Sequence, residues 1–206
     1  MNTLKFTMVS GLLGGVLVLG ACASKSKDGA TPAESATAAA LEDGALRMKD
    51  IEFDEKAYER KDLDLDGDGR ADAYQFAKAI EGKRVVFRKE VDVNFDGKTD
   101  LIRNFDEKGE LVNELLDVDF DGKIDVVNFF EKGLITRKEY DSNFDSSVDA
   151  WSFYEKGQLS RKEADLDYNG KVDYWSYFEA GKLDRIGVDR DNDGEADEWE
   201  VAEREE

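Results

Sequence analysis

Between residues 126 and 188 apolar and polar positions alternate in short runs broken at regular intervals. The runs are "VVNFFEKGLITRKEY" (126–140), "AWSFYEKGQLSRKEA" (150–164) and "YWSYFEAGKLDRIGV" (174–188). Their first halves have period two and are rich in Trp, Tyr, Phe and Val, which predicts strands. Gly109, Gly133, Gly157 and Gly181 each precede an acidic cluster by about eight residues. A Gly following Glu-Lys or a similar pair suits a tight hairpin turn that needs positive φ. The second halves then return toward the next cluster, giving the order loop, strand, turn, strand, loop. "FFEKGLITRKEY" can also be drawn as a helix following each loop. The Gly in mid-segment and the aromatic and β-branched residues at alternate positions favour strands instead. Trp151 and Phe153 share one face while Tyr154 points to the other, so both faces carry apolar residues. The expected fold is all-β: tandem β-hairpins in an antiparallel meander. The pattern does not choose between an open sheet and one that closes or stacks.

The clusters between these hairpins are copies of one loop. They read "DLDGDGRAD" from Asp64, "DVNFDGKTD" from Asp92, "DVDFDGKID" from Asp117, "DSNFDSSVD" from Asp141, "DLDYNGKVD" from Asp165 and "DRDNDGEAD" from Asp189. The later copies recur at a spacing of about 24 residues, and self-similarity at such a period marks a repeat architecture. The consensus is D-x-[DN]-x-[DN]-G-x-x-D, with Ser146 replacing the Gly once. Position eight is small or apolar in most copies (Ala71, Ile124, Val148, Val172, Ala196), as expected of a residue facing a core. The repeat frays at its ends. "FDEKAYERKDLD" (53–64) matches "YEKGQLSRKEAD" (154–165) as an incoming half, and "EWEVAE" (198–203) resembles an outgoing half. In a meander, loops separated by one hairpin lie roughly 10 Å apart along one rim.

Charge makes these loops more than turns. The chain has 49 acidic and 29 basic residues, a formal charge of −20, and the loop carboxylates alone are enough to supply that excess. Two carboxylates about 4 Å apart repel by roughly 1 kcal/mol in water and about 4 kcal/mol at an effective dielectric of 20. Asp and Gly favour turns, but a turn needs no such repulsion. A divalent cation offsets it, and alternate side-chain oxygens around a Gly-permitted bend supply the hard oxygen ligands that calcium takes. Arg137, Lys138, Arg161 and Lys162 recur on the return strands and read as a solvated face balancing Glu139 and Glu163. The chain has no His and one Cys, Cys22. This excludes Cys/His metal sites, intramolecular disulfides and imidazole catalysis. No catalytic motif appears, so no enzymatic activity is expected. The strong negative charge argues against nucleic acid as a partner.

The loops resemble the calcium loop of the EF-hand, cut short of its Glu at position twelve. They are also similar to the nine-residue calcium loops of FG-GAP repeats and thrombospondin type 3 repeats. The hairpin pieces are loosely similar to MORN repeats. Asp189–Glu200 matches the longer EF-hand pattern, with Glu200 at position twelve. The resemblance implies up to six Ca²⁺ ions. The first loop would use Asp64, Asp66, Asp68 and Asp72; the third Asp117, Asp119, Asp121 and Asp125; the sixth Asp189, Asp191, Asp193 and Asp197. With four carboxylates each, these should bind most tightly. The second (Asp92, Asn94, Asp96, Asp100) and fifth (Asp165, Asp167, Asn169, Asp173) have three. The fourth (Asp141, Asn143, Asp145, Asp149) also has three, and Ser146 strains its bend, so it should be the weakest or remain empty.

The N-terminus reads as an export signal over residues 1–21: Lys5, the apolar "MVSGLLGGVLVLG", then "LGAC". "LGAC" resembles the lipobox of bacterial lipoproteins, which implies cleavage before Cys22 and lipidation there. An ordinary secretory signal with an incidental Cys is the alternative. Residues 22–40 read as a lipidated Cys and flexible tether, 41–63 as an N-terminal cap or half repeat, and 64–206 as the six-loop domain. The absence of Asp after Cys22 favours the outer membrane by analogy with enteric lipoproteins. The expected role is a lipid-anchored, calcium-binding repeat protein of the cell envelope with a structural or interaction function. Its membrane contact would be through the lipid anchor, and an envelope or surface protein is the expected partner. A calcium-dependent adhesin or an accessory subunit of a surface machine is the alternative.

Overall fold

The structure, a computed structural model, describes residues 53–202. The export signal, Cys22, the tether and residues 41–52 of the expected cap lie outside the described residues. Among the described residues a 3₁₀ turn at Glu55–Ala57, capped by the Asp54 side chain, leads into twelve strands. These are β1 (Glu59–Leu63), β2 (Ala73–Ile80), β3 (Lys83–Val91), β4 (Leu101–Phe105), β5 (Leu111–Leu116) and β6 (Val126–Glu131). They continue with β7 (Leu134–Tyr140), β8 (Ala150–Glu155), β9 (Gln158–Ala164), β10 (Tyr174–Glu179), β11 (Lys182–Val188) and β12 (Glu198–Val201). All twelve form one antiparallel sheet in sequence order. Among the described residues the sheet is open: β1 pairs only with β2, and β12 only with β11. That answers the question the alternation left unsettled.

In a meander every second connection falls at the same end of the strands. All six acidic loops therefore lie on one rim and all five tight turns on the other. Four of those turns have two consecutive left-handed residues, Glu81–Gly82, Lys132–Gly133, Lys156–Gly157 and Ala180–Gly181. This is the type I′ geometry whose twist matches the strands it joins.

Each hairpin also carries a register shift, between Phe129/Phe130, Phe153/Tyr154 and Tyr177/Phe178 among others. The extra residue on the return strand is Thr136 or Ser160, whose hydroxyl donates to the carbonyl of Phe129 (3.3 Å) or Phe153 (3.1 Å). The bulge brings Leu159 opposite Tyr154, although simple alternation would place it with Arg161.

One face of the sheet carries paired rows. Phe129, Arg137, Phe153, Arg161, Tyr177 and Arg185 stand in register on successive strands. Arg137 lies over Phe129 at 4.3 Å, Arg161 over Phe153 at 4.2 Å and Arg185 over Tyr177 at 4.6 Å. Beside them Arg137 pairs with Glu139 at 3.0 Å and Arg161 with Glu163 at 3.1 Å. The ion pairs expected from the sequence are present, but they are not a solvated face. Glu163 is only 5% exposed, wedged opposite Trp151 and Trp175, and burial pushes its carboxyl above the usual range. Stacked guanidinium groups can serve as a covering layer on an open sheet because their planar faces are weakly hydrated. Lys138 and Lys162 project from the other face, opposite Ser152.

The apolar core is small and hugs the loop rim. Ile102, Leu115 and Val127 from the strands meet Ile124 and Val148 from loop position eight, with Phe129 and Trp151 packed alongside. In the third and fourth loops the apolar eighth position thus fastens the loop to the sheet beneath it.

Candidate metal sites

Each loop is held by its own carboxylates. The position-one Asp accepts from the backbone N–H of position six: Gly97 to Asp92 (2.7 Å), Gly122 to Asp117 (2.7 Å) and Gly170 to Asp165 (2.7 Å). The position-nine Asp accepts from the N–H of position two. Val93 donates to Asp100, Val118 to Asp125 and Leu166 to Asp173, each at 2.7 Å. The position-five side chain accepts from the N–H of position seven, as in Lys98 to Asp96 (2.9 Å) and Lys123 to Asp121 (2.8 Å). The position-six Gly residues take φ between 88 and 95°, and Ser146 is forced to φ 76° in the same place. The strained bend expected in the fourth loop is therefore present.

Neighbouring loops are stitched into a ladder. The N–H of each position-one Asp donates to the carbonyl of the preceding loop's position-nine Asp. The lengths are 2.7 Å for Asp92 to Asp72, 2.9 Å for Asp117 to Asp100 and 2.8 Å for Asp141 to Asp125. Asp165 to Asp149 (2.7 Å) and Asp189 to Asp173 (2.9 Å) complete it. This ladder buries the position-one and position-nine carboxylates between loops, as with Asp100 (3% exposed) and Asp125 (2%). Only the outermost two, Asp64 and Asp197, are exposed.

Positions one, three and nine converge. Carboxylate oxygens of Asp64/Asp66/Asp72, Asp117/Asp119/Asp125, Asp165/Asp167/Asp173 and Asp189/Asp191/Asp197 lie within 4.8 Å of one another in each set. These triads can hold a metal ion. In the second and fourth loops Asn94 and Asn143 occupy position three, leaving two acids each beside an amide oxygen. Position five is not part of the converging sets: Asp68, Asp121 and Asp193 stand outside them, as does Glu200, which lies on β12 opposite Ile186. By convergent charge the fifth loop thus ranks with the first, third and sixth.

An independent observation bears on ligation. Asp100 Oδ1 and Asp173 Oδ1 are buried and have no hydrogen-bond partner, although the other oxygen of each carboxylate accepts backbone N–H groups. A buried lone acceptor is costly, and a ligated cation removes the cost. The local fields differ from loop to loop. Burial raises Asp125 and Asp165, outweighing backbone N–H bonds to each. The neighbouring charges of Asp193 and Asp197 raise Asp191. Asp121 is lowered chiefly by its bond with Lys123 and Asp145 by its bond with Asn143. At Asp189 burial pushes upward, but the N–H groups from Gly194, Asn192, Asp191 and Asp193 prevail and lower it.

The sequence reading missed two features. Position seven carries a cation that crosses to the next loop: Lys98 Nζ donates to the Asp121 carbonyl (3.0 Å) and Lys171 Nζ to the Asn192 carbonyl (2.8 Å). Lys98, Lys123 and Lys171 recur at that position, a signal visible in the aligned loops. Position four is left-handed throughout, including Phe95, Phe120, Phe144 and Tyr168 at φ 62–65°. These aromatics are half-exposed on the rim.

No protein-family profile and no curated protein matches the chain. Among solved structures, the chain is similar to one described as the crystal structure of accessory secretory protein 1, 2 and 3 in Streptococcus pneumoniae. The identity is 21% with a TM-score of 0.38, over 60% of this chain and 22% of that one.

Proposed function

We propose that the protein is a calcium-binding repeat module of the bacterial cell envelope, lipid-anchored through Cys22, with a structural or interaction role. The observation that carries the metal reading is the convergence of positions one, three and nine in four loops, joined in the fifth by a buried carboxylate, Asp173, whose second oxygen has no partner. Oxygen-only ligands with no His and no thiol in the loops favour a hard cation. Loops shaped by flexible Asp side chains suit calcium's larger, irregular shell better than magnesium's octahedron. Extracellular modules of this kind bind at about 10⁻⁴ to 10⁻³ M, an affinity that keeps them loaded outside the cytoplasm. The lipid anchor and outer-membrane placement rest on the lipobox-like "LGAC" and the residues after it. An accessory role in a surface assembly suits an open sheet whose first and last strands are exposed. Native mass spectrometry of the full chain across a calcium titration tests the metal reading. At least four ions should bind at millimolar calcium, with magnesium competing poorly. An apo spectrum throughout would refute it.

A further inference from the structure

The two exposed edges of the sheet are complementary halves of one hairpin. In every internal repeat, the first residue after a loop pairs with the last residue before the next loop: Val126 with Tyr140, Ala150 with Ala164, Tyr174 with Val188. β12 is a strand of the first kind and β1 a strand of the second. Both are exposed along nearly their whole length. Laying β1 of a second copy against β12 in the internal register sets Glu198 opposite Leu63, Trp199 opposite Asp62, Glu200 opposite Lys61 and Val201 opposite Arg60. Trp199 then meets an acidic residue as Trp151 meets Glu163, and Glu200 meets a cation. The loop ladder points the same way. Asp64 and Asp197 are the position-one and position-nine acids left exposed, and they are the two that such a junction would join through an N–H to carbonyl bond.

We propose that this chain associates head to tail with further copies of itself, β12 of one pairing antiparallel with β1 of the next. Charge disfavours the pairing of β12 with itself. β12 against β12 would set Glu198 and Glu200 among glutamates, a like-charge arrangement that opposes association. A heterologous junction leaves a free edge at each end and does not close on a pair, so the product is an open series of oligomers. The junction extends the rim of acidic loops from copy to copy. It rests on the sheet edges and not on the calcium reading.

Sedimentation velocity of the full chain in millimolar calcium tests it. A four-residue edge is short, so association should emerge on the order of 100 μM. The expected result is a concentration-dependent series of dimer, trimer and longer species. Lys61→Glu alone and Glu200→Lys alone should each weaken association roughly tenfold. An equimolar mixture of the two variants should restore it, since alternating copies then present only opposite charges at every junction. Both variants change exposed positions, and their circular dichroism should match the parent. A monomer at about 1 mM, a series that stops at the dimer, or variants that associate as well alone as mixed would each overturn the proposal. Native mass spectrometry reads the calcium count separately, so failure of one reading leaves the other standing.

Discussion

At the scale of single residues, each loop carboxylate has two jobs with opposite consequences for charge. Asp125 closes its loop by accepting from Val118 and Asp119, and it adds charge to a crowded, buried place. Its folded-state affinity for a proton is raised by burial. Its ionised form therefore works against folding once the pH is above that raised value, unless a cation is bound. Asp125→Asn keeps an acceptor and removes the charge. It should raise the melting midpoint in EDTA and lower it in millimolar calcium, a reversal of sign that differential scanning calorimetry reads directly. A drop in both conditions would mean the carboxylate acts only as a turn former. In calcium-free solution, an NMR titration of side-chain carboxyls should find Asp125 and Asp165 protonating above the ordinary aspartate range and Asp121 and Asp145 below it. The ligand-type residues were legible in the sequence because Asp and Asn alternate there at fixed positions. The split between converging positions one, three and nine and the outlying position five was not. It depends on which oxygen each backbone N–H claims, and spacing alone does not encode that.

At the scale of strands and hairpins, alternation and the recurring Gly were enough to place the turns and pairing order, because period two and a left-handed turn residue are local requirements. The bulges were invisible. Thr136 and Ser160 are ordinary strand residues by composition, and only the carbonyl each one bonds shows that it is the extra residue. The Arg ladder was misread for a related reason. A run such as "SRKEA" reads as solvated until Phe153 and Trp151 are known to lie across from Arg161 and Glu163. The last strand gives a sharp test of packing at this scale. Gly187 has no side chain, and a Cβ there would meet the Trp199 ring at 2.8 Å. Gly187→Ala should push Trp199 off the sheet and loosen β12, costing about 1–3 kcal/mol. The expected reading is a red-shifted tryptophan emission with faster amide exchange in β11 and β12 and unchanged exchange in β4–β7. Uniform loss of protection would show instead that the strand is not independently seated.

At the scale of the whole sheet, extensive contacts join only consecutive strands, so stability is a sum of repeat and junction contributions rather than one undivided core. On the proposed calcium reading the ion would act locally: a loop held at ten times its dissociation constant would gain about 1.4 kcal/mol, and its neighbours would gain only through the ladder between loops. The fourth loop is the weak member of the series. It has Asn143 at a converging position, and its Ser146 is held at φ 76° where the other loops have Gly. A left-handed L-residue costs roughly 1–2 kcal/mol. The loop also lacks a position-seven cation, since Ser147 stands where Lys98, Lys123 and Lys171 stand elsewhere. At limiting calcium this loop should empty first and divide the sheet into two protected stretches, one on each side of the β7–β8 connection. Hydrogen exchange should show rapid exchange at residues 141–149 while β4–β6 and β9–β10 stay protected. Ser146→Gly should close that gap by about 0.5–1 kcal/mol, the left-handed strain relieved less the chain entropy that Gly adds. If exchange instead rises evenly along the chain as calcium is withdrawn, the repeats are coupled more tightly than their neighbour-only contacts imply. The account of stability as a local sum would then fail.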